Sequence, residues 1–233
     1  MFPSENMITK FDDVFDTLSE FDETICSFVA IIRAGSFQDS RGEPQRFARK
    51  IVKLRGYLES GDKKRYDTNK KKLLGVTLAG VFRNGREDKH LTQYSGLVHV
   101  DLDKLQIEQV EEYRKILQED PSVLVVFVSA SGRGLNVICW HPLGPKHHEN
   151  VYWLFKGHVQ QLLNCADDAF DDSVRNLSSL CQVSHDPNAH LDLNASPIAS
   201  VVEDLGEMDP GDMSHKAEEP KAANEAETEA TEK

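Results

Sequence analysis

Apolar residues in the first part of the chain recur at helical spacing. Leu18, Phe21, Ile25, Phe28 and Ile31 predict a helix over 16–33, and a second is expected over 44–58. The run LLGVTLAGVF, residues 73–82, has strand character and stops at the turn signal RNG. From residue 97 the pattern becomes more regular. LVHVDLD predicts a strand, IEQVEEYRKILQED an amphipathic helix, and VLVVFVS a strand that is apolar on both faces. A turn at SGRG follows, then the strand LNVICW, a helix over 147–166, and a closing strand SLCQVS at 179–184.

The order β-α-β-β-α-β from residue 97 predicts an α+β domain of split βαβ type, an antiparallel sheet with two helices on one face. RNA-recognition modules and polymerase palms share that architecture, so it does not name a function. We place a palm-like core at 96–198 and an N-terminal helical/αβ extension at 1–95, together one domain over 1–202. Residues 203–233 form a different kind of segment. They carry about two-thirds of the formal net charge of −12 and have almost no aromatic or β-branched residues, which predicts a disordered acidic tail.

Charge therefore does not exclude a nucleic-acid partner, because the body of the chain is only mildly acidic and residues 41–74 gather many of its Lys and Arg. That stretch reads either as a solvated helix face or as a phosphate-binding surface. The four cysteines are widely separated without a C-x-x-C pair, and read as reduced core thiols. No apolar run reaches the ~20 residues needed to cross a bilayer, and the N-terminus lacks the pattern of a signal peptide. The expectation is a cytoplasmic protein without a membrane partner.

In YSGLVHVDLDKL, residues 94–105, two aspartates interrupt what otherwise reads as a buried strand. Strand alternation puts Leu97, His99, Asp101 and Asp103 on one face and Val98, Val100 and Leu102 on the other. Pairing on both sides is expected to make this a central strand. Carboxylates at i and i+2 stand about 6.5–7 Å apart along a strand, near enough to converge on hard cations ~3.5–4 Å apart. A divalent ion also removes their mutual repulsion. A third carboxylate is available in DDAFDDSVRNLSSL, residues 167–180, where Asp171 is preferred and Asp172 competes, while Asp167 and Asp168 suit a solvated helix end or turn. The alternative is a solvated acidic pair on an edge strand.

The loop in VFVSASGRGLNV holds Ser129, Ser131, Gly132, Arg133 and Gly134, small residues that let backbone N–H groups approach an anion and an arginine suited to phosphate oxygens. It reads equally as a tight hairpin turn. His99 shares the aspartate face as a packed neighbour, and His147, His148 and His185 are expected in loops without metal-binding spacing.

Four pieces in order, KKKLLGVTLAGVF, YSGLVHVDLDKL, FVSASGRGLNV and FDDSVRNLSSLCQVSHDPNAHLDLNASPI, resemble the primase-polymerase-like domain (VirE N-terminal domain) of the archaeo-eukaryotic primase superfamily. The resemblance spans roughly residues 50–198. It implies that Asp101, Asp103 and Asp171 are the catalytic Mg²⁺ or Mn²⁺ ligands, and that Ser129, Ser131, Gly132, Arg133, Gly134 and Asn136 face an incoming nucleotide. It further implies primer synthesis or strand extension in DNA replication, with nucleoside triphosphates and a single-stranded DNA template as partners. Relatives often sit beside a helicase domain in phages and mobile elements, so a replicative helicase is expected to act in trans. This sequence departs from the polymerising pattern in having Asn136 where relatives carry histidine and Ser179 where they carry a basic residue. Those departures leave open a degenerate member that only binds nucleotide or single-stranded nucleic acid.

Overall fold

Strand β1 (Met7–Phe11) pairs antiparallel with β2 (Phe21–Thr24), which runs straight into helix α1 (Ile25–Ala34). The computed structural model describes residues 6–11, 21–38 and 43–198. Helix α1 therefore starts at Ile25 and not at residue 16. Thr24 ends the strand and caps the helix, its side chain accepting from the Ser27 N–H at 3.1 Å. Leu18 and the start of the expected helix lie outside the described residues. Gly35, at φ 63°, closes α1 by donating its N–H to the Ile31 carbonyl.

A short hairpin, β3 (Ser36–Gln38) with β4 (Pro44–Arg46), leads to α2 (Ala48–Glu59), so the second helix begins four residues later than its periodicity suggests. Helix α3 (Lys63–Lys70) follows, the Asp62 side chain accepting from the Arg65 N–H at 3.1 Å. The apolar run at 73–82 forms two strands. β5 (Gly75–Thr77) joins β1, whereas β6 (Gly80–Phe82) turns away to pair with β7 (Leu91–Tyr94).

The regular part follows its sequence pattern: β8 (Leu97–Leu102), α4 (Ile107–Glu119), β9 (Val125–Val128), β10 (Leu135–Trp140) and α5 (His148–Leu163). Then come β11 (Leu180–Gln182) and β12 (His190–Leu191). The result is an α+β fold with antiparallel sheets and, among the described residues, five α-helices. One sheet has the order β12-β9-β10-β8 and the other β11-β5-β1-β2. Strand β11 thus forms where expected but completes the second sheet, pairing with β5.

Alternation sorts the first sheet cleanly. Val98, Val100, Leu102, Val126, Leu135 and Val137 face α4 and α5, where Val110, Leu117, Tyr152 and Phe155 close one core. Leu97, Val125, Phe127 and Ile138 point the other way, into a core shared with α1, α2 and the second sheet. Covering both faces explains the unbroken apolar run in β9, and each aliphatic side chain buried this way contributes about 1.5–3 kcal/mol. No helix among the described residues is long and apolar enough to cross a membrane. The acidic segment at 203–233 lies outside the described residues.

Candidate functional site

Strand β8 is paired along its length only with β10, so it is an edge strand, and the expectation of pairing on both sides fails for most of it. Its other edge is covered just where the acids stand. The segment 169–171 forms a single antiparallel bridge between Phe170 and Leu102, flanked by hydrogen bonds from Asp103 N to Ala169 O at 2.7 Å and from Asp171 N to Asp101 O at 2.9 Å. These backbone bonds bring a carboxylate nearly seventy residues away into register with the D-x-D pair. Ligand oxygens of Asp101, Asp103 and Asp171 all lie within 4.8 Å of one another, all three side chains being partly buried.

Asp171 and Asp172 divide their roles through their neighbours. Asp172 accepts from Tyr152 Oη and Lys156 Nζ, each at 2.8 Å, and Lys156 also meets Asp167 at 2.9 Å. Lys156 is only 4% exposed, so its charge is held by this pairing and Asp172 is not available to the triad. Asp167 is accordingly an ion-pair partner as well as a turn residue. Asp171 uses one oxygen to accept from Ser173 N at 2.9 Å, starting a short 3₁₀ turn, and is otherwise directed at the cavity.

That cavity, of about 170 Å³, is lined by Lys70, His99, Asp101, Ser129, Asn136 and Asp171, with Cys181 and Gln182 from β11. Asp101 Oδ1 is sealed from solvent and has no hydrogen-bond partner. Burial, followed by the adjacent Asp103 carboxylate, holds the Asp101 carboxyl well above the usual carboxylate range, against the opposing pull of Lys70. Burial alone would lower the Lys70 ammonium, yet Tyr66 and the three aspartates outweigh it and raise it. Three convergent carboxylates with an unpartnered buried oxygen are a hard, oxygen-only donor set, which fits Mg²⁺ or Mn²⁺ and does not fit a soft metal.

The loop at 129–134 is a built turn. Ser129 N donates to Gly134 O at 2.9 Å, the Ser129 and Ser131 hydroxyls bond at 2.8 Å, and Arg133 N donates to Ser131 Oγ at 3.0 Å. Its residues part company: Ser129 lines the aspartate cavity, while Ser131, Gly132 and Arg133 line a second pocket. Gly134 is pressed against β8. A Cβ there would lie 2.2 Å from the Leu102 carbonyl oxygen and 3.1 Å from Asp103 Oδ1. Asn136 stands opposite Asp101 in the β8–β10 register, and its Oδ1 accepts from Cys181 Sγ at 3.4 Å.

One histidine differs from its expected loop position, and His141, for which the sequence offered no expectation, joins it in the core. His148 begins α5 and is buried, its Nδ1 3.0 Å from Tyr94 Oη, which also lies 2.7 Å from His141 Nε2. Burial, then neighbouring histidines, push His141 down to about 4 and His148 down to about 3. Both stay neutral in the folded protein, while in the unfolded chain they bind protons below their ordinary value near 6.5. Stability from this pair is therefore complete above pH 6.5 and is lost as pH falls toward 4 and then 3. We expect roughly 2 kcal/mol per histidine to go between pH 6.5 and 5, at 1.36 kcal/mol per unit. Urea unfolding across that range, compared with His148→Asn, checks it: the variant's slope with pH should be shallower, and parallel slopes would remove the explanation.

Sequence reasoning did not single out Lys70, although it lay within the basic stretch at 41–74. Nor did it single out Arg55, whose guanidinium ties the loop to the chain after β11. Arg55 Nη2 donates to Ser129 O and His185 O at 3.3 Å and to Ser184 Oγ at 3.4 Å. No spacing marks a lysine at the end of one helix or an arginine inside another as facing inward.

The profile described as BT4734-like, N-terminal domain, matches residues 68–190, more than half of the chain. The chain belongs to the BT4734-like N-terminal domain family. The matched stretch contains Lys70, the three aspartates, the loop at 129–134 and Asn136, so the whole aspartate cavity falls inside the family's domain. Helices α1 and α2, with Arg55, lie before it. No curated protein and no solved structure matches the chain.

Proposed function

We propose that the chain is a metal-dependent nucleotidyltransferase of primase-polymerase type that makes or extends primers in DNA replication. The observation that carries this reading is the convergence of Asp101, Asp103 and Asp171 around a partly buried space in which one aspartate oxygen has no protein partner. Three carboxylates so close, with a single lysine beside them, are costly to keep ionised unless a further cation joins them. The sheet β9-β10-β8 with α4 and α5 on one face supports a palm-like, split βαβ core, with the 169–171 bridge standing at the edge where that arrangement places its fourth strand.

In this reading Asp101, Asp103 and Asp171 hold Mg²⁺ or Mn²⁺, which when bound supplies the charge for attack of a 3′-hydroxyl on an α-phosphate and for departure of pyrophosphate. The surrounding residues do the positioning. Lys70 presents an ammonium to the same cavity, where it balances the triad and can meet a phosphate oxygen. Ser129 offers a hydroxyl at the cavity wall, and Gly134 keeps the loop close enough to β8 for Asp103 to stay in the cluster. The basic surface around Lys63, Lys64, Lys71 and Lys72 suits a template strand.

A labelled-nucleotide assay on single-stranded template, with each nucleotide set and with Mg²⁺ or Mn²⁺, tests the reading. Metal-dependent product lost in Asp101→Asn is expected, and equal product from that variant would refute the assignment. One observation favours a second reading, a nucleotide- or single-strand-binding replication accessory. The cavity-facing side chain at 136 is an amide engaged with Cys181, and Ser179 Oγ donates to the Ser173 carbonyl, so neither position supplies a cation to a triphosphate. Template binding without incorporation under either metal supports that alternative.

A further inference from the structure

The second pocket, about 350 Å³ in volume, is lined by residues 131–133 of the loop whose Ser129 lines the aspartate cavity. Its size is at the lower end of small-molecule sites. Leu58, Val110, Val128 and Pro187 give it an apolar floor. Its charged lining is mixed: Arg55, Arg114 and Arg133 on one side of the balance, Glu59, Glu111 and Asp186 on the other. Such a balance is poorly suited to a polyphosphate, which asks for excess positive charge. It does suit a flat ring whose edge carries both acceptors and donors.

The polar groups are held in place. Arg114, whose side chain is 13% exposed, is fixed by Asp186 at 3.5 Å and Glu111 at 2.5 Å. Asp186 is itself committed, accepting from Val128 N at 2.9 Å and Asn188 N at 3.0 Å. That leaves the exposed Glu59, and the second oxygen of the half-exposed Glu111 whose first is paired with Arg114, as acceptors for a ligand. Arg55 Nε is buried with no partner beneath Gly132, at φ +75°, where an added Cβ would come within 3.1 Å of it.

We infer that this pocket takes the base of a purine nucleotide, best a guanine. Guanine O6 and N7 are acceptors matched to a guanidinium, its N–H edge offers donors to a carboxylate, and its faces lie on the apolar floor. Gly132 lines this pocket and Gly134, two residues on, packs beside Asp103, so a nucleotide seated here has its phosphates directed over the loop toward the triad. The inference rests on the nucleotidyltransferase reading for the use of those phosphates, but base binding itself does not need the metal. A base held by protein side chains is selected without a template strand, which suits the first nucleotide of a new primer.

Calorimetric titration of the full chain in EDTA with guanosine 5′-monophosphate, cytidine 5′-monophosphate and ribose 5-phosphate tests it. The guanine nucleotide should bind at least about tenfold more tightly than either of the others, a difference of about 1.4 kcal/mol. Ile107→Trp, at an exposed rim position, should weaken it by about tenfold or more by filling the pocket. Arg133→Ala, also at an exposed position, should weaken it severalfold. Equal binding of ribose 5-phosphate would mean a phosphate site, and equal binding of the cytidine nucleotide would mean no purine edge is read; either overturns the inference. So does unchanged affinity in both variants. Guanine binding without metal-dependent incorporation would instead leave this pocket standing and remove the nucleotidyltransferase reading.

Discussion

Asp101→Asn should abolish metal-dependent incorporation while making the metal-free protein more stable. The two effects share one cause. Asp101 is held above the ordinary carboxylate range by burial and by Asp103, so keeping it ionised at neutral pH costs free energy that folding must supply. The sign is opposite to that of the buried histidines: in the metal-free protein the Asp101 contribution is present at acid pH and is lost as pH rises through the ordinary carboxylate range toward its raised folded value. An amide of the same shape carries no charge, and should raise unfolding stability in EDTA at pH 7. In the proposed reading the same change removes a metal ligand. A bound divalent ion is worth several kcal/mol to the transition state, so incorporation should fall by about a thousandfold or more, roughly 4 kcal/mol. Loss of stability together with loss of activity would point to a structural role for Asp101.

Gly134→Ala has the next largest expected effect, and it acts through the backbone. The added methyl would stand 2.2 Å from the Leu102 carbonyl oxygen, part of the β8 backbone beside the β10 register, so no side-chain rotation relieves the overlap. The strands must separate locally, at a cost of about 3 kcal/mol, the upper part of the usual range for overpacking. Thermal unfolding should drop by roughly 6–12 °C at 2–4 °C per kcal/mol for a chain of this size. Asp103, 3.1 Å from the same point, would be displaced from the other two aspartates, so metal-dependent stabilisation should weaken as well. A melting temperature unchanged by this substitution would show that the loop and β8 are not held this closely.

The stretch from β8 to α5 was legible in the sequence because its elements are long enough for alternation and helical spacing to repeat, and because both faces of β9 are covered. The N-terminal region was less so. Phe21 and Ile25 fit a helical period equally well, but Phe21–Thr24 pairs with Met7–Phe11, and a pairing choice is made by the partner strand and not by spacing. The destination of β11 was hidden for the same reason, three residues being too few to specify a sheet. At the site, the D-x-D pair announced itself, and its shared face follows from alternation alone. The choice between Asp171 and Asp172 did not, since it is made by Tyr152 and Lys156 on α5, which claim the second carboxylate. The loop at 129–134 was visible as a turn, yet that its two halves would serve different cavities depends on how Arg55 and β8 pack against it.

The most direct measurement is thermal unfolding of the full chain in EDTA and in increasing Mn²⁺, for the parent, Asp171→Asn and Asp172→Asn. An ion that binds only the folded triad stabilises by about 2.7 kcal/mol at a hundred times its dissociation constant, so the parent should melt several degrees higher at saturating Mn²⁺. Asp171→Asn should lose most of that increment, and Asp172→Asn should melt lower overall but keep it. A parent melting temperature that does not move with Mn²⁺, or an increment that survives in Asp171→Asn, would contradict the three-aspartate ion site.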